Sequence, residues 1–160
     1  MQAGFTHVDD LGQIRMVDVT RKHPTLRRAH ASCIVCTDVD LSTLTARADE
    51  VDFIEAARRA GIQAAKQTAR LIPLCHPLTL HAIDVEVAPR PSGIEVSAIV
   101  AAIGQTGVEM EALTACAFAA LSVMSAIVGR DPNAQIDDLA LMHKSGGESG
   151  DWGRMVDPPR

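Results

Sequence analysis

The sequence predicts one α+β domain arranged as a split βαβ sandwich, and three observations carry that expectation. The hydrophobic pattern switches between strand and helix periods in the order β, α, α, β, β, α, β. Pro73, Pro77, Gly104, Gly107 and Gly129 fall between the periodic segments. Aromatic residues make up only 2% of the chain, so Ala, Val, Leu and Ile must fill the interior, and the many alanines favour closely packed helices.

Each element follows from its local pattern. Residues 32–37 alternate like a half-buried strand, and residues 41–48 read as a short helix opened by Asp40 or Ser42. A longer helix is expected over 51–71, its stripe being Ile54, Ala57, Gly61, Ala64 and Thr68. Pro73 and Pro77 end it. Residues 79–87 and 94–103 form two strands joined by the turn APRPSG, and Gly104 and Gly107 bracket a tight turn. The strongest helix covers 108–128, with Met110, Leu113, Ala117, Leu121, Met124 and Val128 on one face, and Gly129 stops it. A last strand at 136–143 precedes the glycine-rich KSGGESG. Allowing for the extra helix, this is the ferredoxin-like order. The domain is expected over 16–151, with residues 1–15 and 152–160 as flexible tails.

Composition excludes several functions. At 160 residues the chain is one domain with a real core. A formal net charge of −5 argues against nucleic acid or an anionic membrane as a partner. The start MQAGFTHVDD has no apolar run, and no stretch approaches the apolar length of a membrane span. Cys33, Cys36, Cys75 and Cys116 form no disulfide framework, so a reducing, cytoplasmic location is expected. Cys33 and Cys36 make a CxxC, but they lie in an alternating strand and no second ligand pair exists, so no metal and no cofactor is expected.

Four segments carry chemistry. In MVDVTRKHPTLRRA, Arg21, Lys22, Arg27 and Arg28 crowd a loop that can hold a polyanion, although a solvated surface gives the same pattern. In KQTARLIPLCH, Lys66 opens the segment, and Cys75 and His76 follow a helix end. Adjacency in sequence does not make a catalytic pair, because the two groups must converge in space. In GQTGVEMEALTA, Glu109 and Glu111 occupy the first turn of a helix, where acids complement the dipole. The functional alternative is that carboxylates and free N–H groups face a ligand with guanidine-like donors. In HKSGGESG, Lys144 and the following backbone N–H groups can cradle phosphate, in a spacing that is not the P-loop. Chemistry alone reaches an anion-binding domain, with a nucleotide as one candidate ligand.

Together these segments closely resemble the cyclic pyranopterin monophosphate synthase family, also called MoaC. The matching stretches are MVDVTRK at 16–22, AGIQAAK at 60–66, LIPLCHPL at 71–78, TGVEMEALTA at 106–115 and KSGG at 144–147. The resemblance spans nearly the whole chain in order. It implies a role in molybdenum-cofactor biosynthesis, the rearrangement of cyclic dihydro-GTP to cyclic pyranopterin monophosphate with release of pyrophosphate. It also implies a ferredoxin-like fold and a homohexamer of three dimers with sites at subunit interfaces. By the same resemblance, Lys22, Arg27, Lys66 and Lys144 are suited to the triphosphate. Leu74, Cys75, His76, Met110 and Glu111 fall on the substrate-contact segments, and Glu109 on a further acidic position.

The chain departs from the family pattern at three positions. The aspartate that the family uses corresponds to Ser125, and its two catalytic lysines correspond to Val128 and Glu50. Val128 moves no proton, Glu50 reverses a charge beside a polyanion, and Ser125 is no carboxylate base. Arg47, Arg130 and Asp131 are the nearest candidates to replace them. Arginine clamps phosphate well but shuttles protons poorly. Three readings stand at this point: the synthase with displaced residues, a paralogue acting on another purine nucleotide or pterin phosphate, or a non-catalytic subunit mixed with an active paralogue.

Overall fold

The strand at the centre of the molecule, β1 (Thr25–Cys36), buries alternate residues along its length, Ala29, Ala31, Cys33 and Val35 among them. The computed structural model describes residues 7–9, 11–39, 53–91 and 93–155. After β1 come α1 (Phe53–Ala65), α2 (Thr68–Leu71), β2 (Ala82–Arg90) and β3 (Gly93–Gly104). Then follow α3 (Glu109–Ile127), β4 (Gln135–Ser145) and the short β5 (Trp152–Gly153). The five strands form one sheet in the order β2-β3-β1-β4-β5, every neighbouring pair antiparallel. β3 lies between β1 and β2, which is the split βαβ arrangement. The chain is a ferredoxin-like α+β domain.

Small residues set the distance between the helices and the sheet. α1 buries Ala57, Gly61, Ala64 and Ala65. At Gly61 an added Cβ would sit 2.8 Å from the Ala115 carbonyl oxygen, 3.2 Å from the Ala119 Cβ and 3.3 Å from a Val85 methyl. Glycine there lets α1 touch both α3 and β2. The alanine content thus has the structural consequence expected of it.

Several boundaries differ from the sequence reading, each for a local reason. β1 begins seven residues earlier than the alternation implies, because Ala29 and Ala31 are too small to stand out as a hydrophobic face. Arg27 and Arg28 therefore lie on a strand and point to opposite faces, the first buried and the second exposed, rather than crowding a loop. The expected helix over 51–71 is two helices: the chain turns after Ala65, where the buried Thr68 hydroxyl donates to the Ala65 carbonyl at 3.0 Å. The helix expected at 41–48 lies outside the described residues. β5 pairs with β4 just past residue 151, through Lys144 and Trp152.

The largest correction concerns α3. The apolar face named from the sequence is not the fully buried one: Met110, Leu121 and Val128 are exposed, and Leu113 and Met124 are only partly buried against the core. The buried face is Ala112, Ala115, Cys116, Ala119, Ala120, Val123 and Ile127. A helix apolar all round gives no moment to choose a face, and the alanine side wins because it approaches the sheet most closely. α3 is also long and apolar enough, by length and composition, to cross a membrane, contrary to the sequence reading. Half of that window is buried in the protein, as befits a core helix.

The CxxC is divided by the pleat. Cys33 points to the core, where the Cys116 thiol donates to it at 3.3 Å, and Cys36 on the other face donates to Asp137 at 3.5 Å. That hydrogen bond and burial push the Cys116 thiol far up, so it stays protonated.

Candidate functional site

One cavity of about 470 Å³ gathers residues that are distant in sequence. Val17, Val19 and Lys22 come from the segment before β1, and Arg27 from β1 itself. Leu74, Cys75, His76 and Leu78 come from the loop after α2, and Gln105, Thr106 and Gly107 from the turn after β3. Glu109, Met110 and Glu111 occupy the first turn of α3, and Lys144 ends β4. Nine of the ten binding residues expected from sequence thus meet here. Lys66 does not line this cavity; it lines an adjoining one of about 230 Å³ with Arg70. The two cavities share His76, Leu78 and Glu111.

Local backbone geometry builds the walls. Leu74 adopts φ 69°, a left-handed conformation that a non-glycine residue holds only when its surroundings impose it, and it sits beside Cys75. Gly146 and Gly147 have φ 88° and 79°. A Cβ at Gly147 would overlap the Arg27 guanidinium, and one at Gly146 would overlap the Leu26 carbonyl oxygen. Glycines there allow the loop after β4 to close over β1. A Cβ at Gly107 would overlap the Glu109 carboxylate, so that glycine leaves room for the acid to turn into the cavity.

Charges within the cavity are paired in opposite senses. Lys144 Nζ lies 3.2 Å from Glu109 Oε1, and Lys22 Nζ 3.3 Å from Glu148 Oε2. Both pairs are partly exposed, so a ligand anion can compete for either lysine. Among the described residues Arg27 has no carboxylate partner: one terminal nitrogen donates to the Gln105 carbonyl at 3.4 Å, and its buried Nε has no partner. Glu111 is 5% exposed, and burial pushes its carboxyl up to about 7, with Glu109's charge adding to the effect. A hydrogen bond from its own backbone N–H acts in the other direction. Burial, then Glu111's charge, raises the neighbouring Cys75 thiol. Near neutral pH, then, the site holds an acid that exchanges between donor and acceptor, next to a neutral thiol.

Two of the three positions read as catalytic, Ser125 and Val128, stand apart from this cavity. Ser125 and Val128 are exposed at the far end of α3, and the Ser125 hydroxyl donates to the Ser122 carbonyl at 2.8 Å. Glu50 and Arg47 lie outside the described residues. Asp131 is engaged elsewhere: it accepts from the Thr37 hydroxyl at 2.8 Å and from the Asp38 N–H at 3.1 Å, which lowers its carboxyl. Arg130 follows α3 at the surface. Among the described residues, no group of three His, Cys, Asp or Glu side chains is disposed to hold a metal ion.

Sequence reasoning missed His7 and Gln105. His7 carried no motif at all; its place in the cavity depends on a fold-back of the chain that no periodicity announces. Gln105 lay inside GQTG, where the reading took the glycines and passed over the residue between them. Its side-chain amide donates to the Lys22 carbonyl at 3.0 Å and ties two walls together.

The MoaC family profile matches residues 16–147. A cyclic pyranopterin monophosphate synthase of Geobacter metallireducens is 47% identical over 156 residues, covering 94% of this chain and 96% of the relative. The protein of the same name from Thermomicrobium roseum is 45% identical, covering 99% and 98%. Cyclic pyranopterin monophosphate synthase 2 of Mycobacterium tuberculosis H37Rv is 44% identical, covering 94% and 91%. With the whole domain matched in this way, the chain belongs to the MoaC family.

Proposed function

We propose that this protein acts in molybdenum-cofactor biosynthesis, binding cyclic dihydro-GTP in the cavity at the start of α3 and directing its rearrangement to cyclic pyranopterin monophosphate. The observation that carries the reading is the convergence of Lys22, Arg27, Leu74, Cys75, His76, Glu109, Met110, Glu111 and Lys144 on one cavity. Lys22, Arg27 and Lys144 suit the phosphates, and the carboxylates suit the guanidine-like N–H edge of the base. Glu111, poised near neutral, suits proton transfer to the ring system. The adjoining cavity with Lys66 and Arg70 is open to the rest of a triphosphate. The homohexamer and the cytoplasmic location implied by the resemblance belong to the same proposal.

A second reading is favoured by one observation. Ser125 and Val128 offer neither a carboxylate nor an amine where the family's chemistry is expected. In that reading the chain binds the nucleotide or pterin phosphate without turning it over, alone or as a subunit mixed with an active paralogue. Incubation of the purified protein with cyclic dihydro-GTP, followed by mass spectrometry, decides between them. Product at the rate of a synthase with the full family pattern supports the first reading; tight binding without product supports the second.

A further inference from the structure

Three buried side-chain polar atoms among the described residues have no hydrogen-bond partner: His7 Nδ1, Arg27 Nε and Thr114 Oγ1. Two of them, on His7 and Arg27, belong to residues that line the same cavity. An orphaned buried donor or acceptor is costly, and it persists where a ligand or solvent completes it. Thr114 lies in α3 and lines neither ligand cavity.

His7 is held in place by its own segment. Val8 and Ile14 form a β-bridge, and the Arg15 N–H donates to the His7 carbonyl at 3.0 Å. Asp9 closes the turn between them: its Oδ1 accepts from the Leu11 and Gln13 N–H groups at 2.9 and 2.8 Å. This short hairpin leads into Val17 and Val19, which line the cavity themselves. The backbone of His7 is therefore held by hydrogen bonds, and its buried Nδ1, in a residue that lines the cavity, has no partner among the described residues.

We propose that His7 is a ligand-binding residue whose Nδ1 hydrogen-bonds a phosphate oxygen of the bound nucleotide, the same anionic group completing the orphaned Nε of Arg27. Arg27 can take only an acceptor, and a phosphate presents several oxygens, so one group satisfies both nitrogens. The segment that carries His7 is then part of the site. This inference rests on the nucleotide-phosphate reading of the cavity.

The test is calorimetric titration of the full-length protein with GTP, and with guanosine as the phosphate-free probe. His7→Ala should weaken GTP binding roughly tenfold to a hundredfold, the effect of losing a hydrogen bond to a charged group, and leave guanosine binding unchanged. His7→Asn, whose amide nitrogen falls near the Nδ1 position, should restore most of the GTP affinity. Thermal melting of both variants at the wild-type temperature keeps the loss from being a folding effect. Equal loss toward GTP and guanosine, or no loss toward GTP, overturns the assignment of His7 while leaving the cavity reading intact. Failure of the wild-type protein to bind GTP at all overturns the cavity reading and this inference with it.

Discussion

Replacing Glu111 with glutamine should make the protein more resistant to unfolding at pH 8 and leave it little changed at pH 5. The carboxyl is 5% exposed, and its titration is raised from the ordinary 4.5 to about 7 by burial and by Glu109. Between those values the native chain binds a proton that the unfolded chain has released. A raised acid therefore favours folding at low pH, and this advantage is lost as pH rises through about 7. At ~1.4 kcal/mol for each unit, the full cost of ionising Glu111 in place is about 3 kcal/mol. About 2–3 kcal/mol of it develops between pH 5 and pH 8. Glu111→Gln keeps the shape and abolishes the titration, so the stability gap between variant and wild type should widen by that amount over the interval. Urea unfolding at fixed protein concentration at pH 5, 6, 7 and 8 reads the gap directly, and comparison with wild type cancels every other titrating group. Parallel pH profiles for the two proteins, or a wild type that gains on the variant as pH rises, would refute the assignment of Glu111 as a buried, neutral-range acid.

Further outcomes are expected at the helix contact, the phosphate lysines and the substituted positions. Gly61→Ala should lower stability, because overpacking against the Ala115 carbonyl costs about 1–3 kcal/mol and the gain in helix propensity returns about 1; a raised melting temperature would show that α1 simply moves away. Lys144→Ala should weaken GTP binding about tenfold in calorimetry, and Lys66→Ala should do so only for ligands with a phosphate chain long enough to enter the adjoining cavity. Wild-type binding should itself weaken with added salt, and equal binding by both variants would remove the phosphates from these lysines. Glu50→Lys, Ser125→Asp and Val128→Lys combined should raise turnover of cyclic dihydro-GTP at least a hundredfold over the unmodified protein, read by mass spectrometry; equal rates would assign the chemistry to other residues.

How much of the molecule was legible depended on whether a residue's role was local. Strand and helix order followed from periodicity, and so did the turns at Gly104 to Gly107 and after Gly129. The nine expected residues that meet in the cavity were legible only because the motifs containing them are long. Nothing in the spacing of Lys22, Cys75, Glu111 and Lys144 says that the four meet. The buried face of α3 was not legible, because Met110, Leu121 and Val128 are larger and more hydrophobic than Ala115 or Ala119, yet packing distance rewards the smaller side. Arg27 was placed in a loop because its neighbours Ala29 and Ala31 give little contrast, and that error hid its burial. His7 was invisible for a different reason: an orphaned nitrogen is a property of three-dimensional surroundings, with no counterpart in residue type.

The cavity and the positions of Ser125 and Val128 lie at opposite ends of α3, and that separation limits what one chain brings together. Glu111 sits in the first turn of α3 and Ser125 near its end. At ~1.5 Å per residue the two are about 21 Å apart along the helix, farther than any side chain spans. No conformational change short of unfolding α3 brings residue 125 or 128 to a ligand held at residue 111 of the same chain. In the oligomer proposed above, α3 of one protomer would present its last turns to the cavity of another. The outer side of α3 is suited to such a contact, since Phe118, Leu121 and Val128 are exposed on it. Ser125 and Val128 do not line the cavity of their own chain, so changes there leave its lining as it is. Binding and turnover are then separable by assembly as well as by mutation. In the mixed assembly proposed above, a chain with an intact cavity and altered last turns would bind ligand while the α3 of a copy carrying the acid and the lysine serves its cavity.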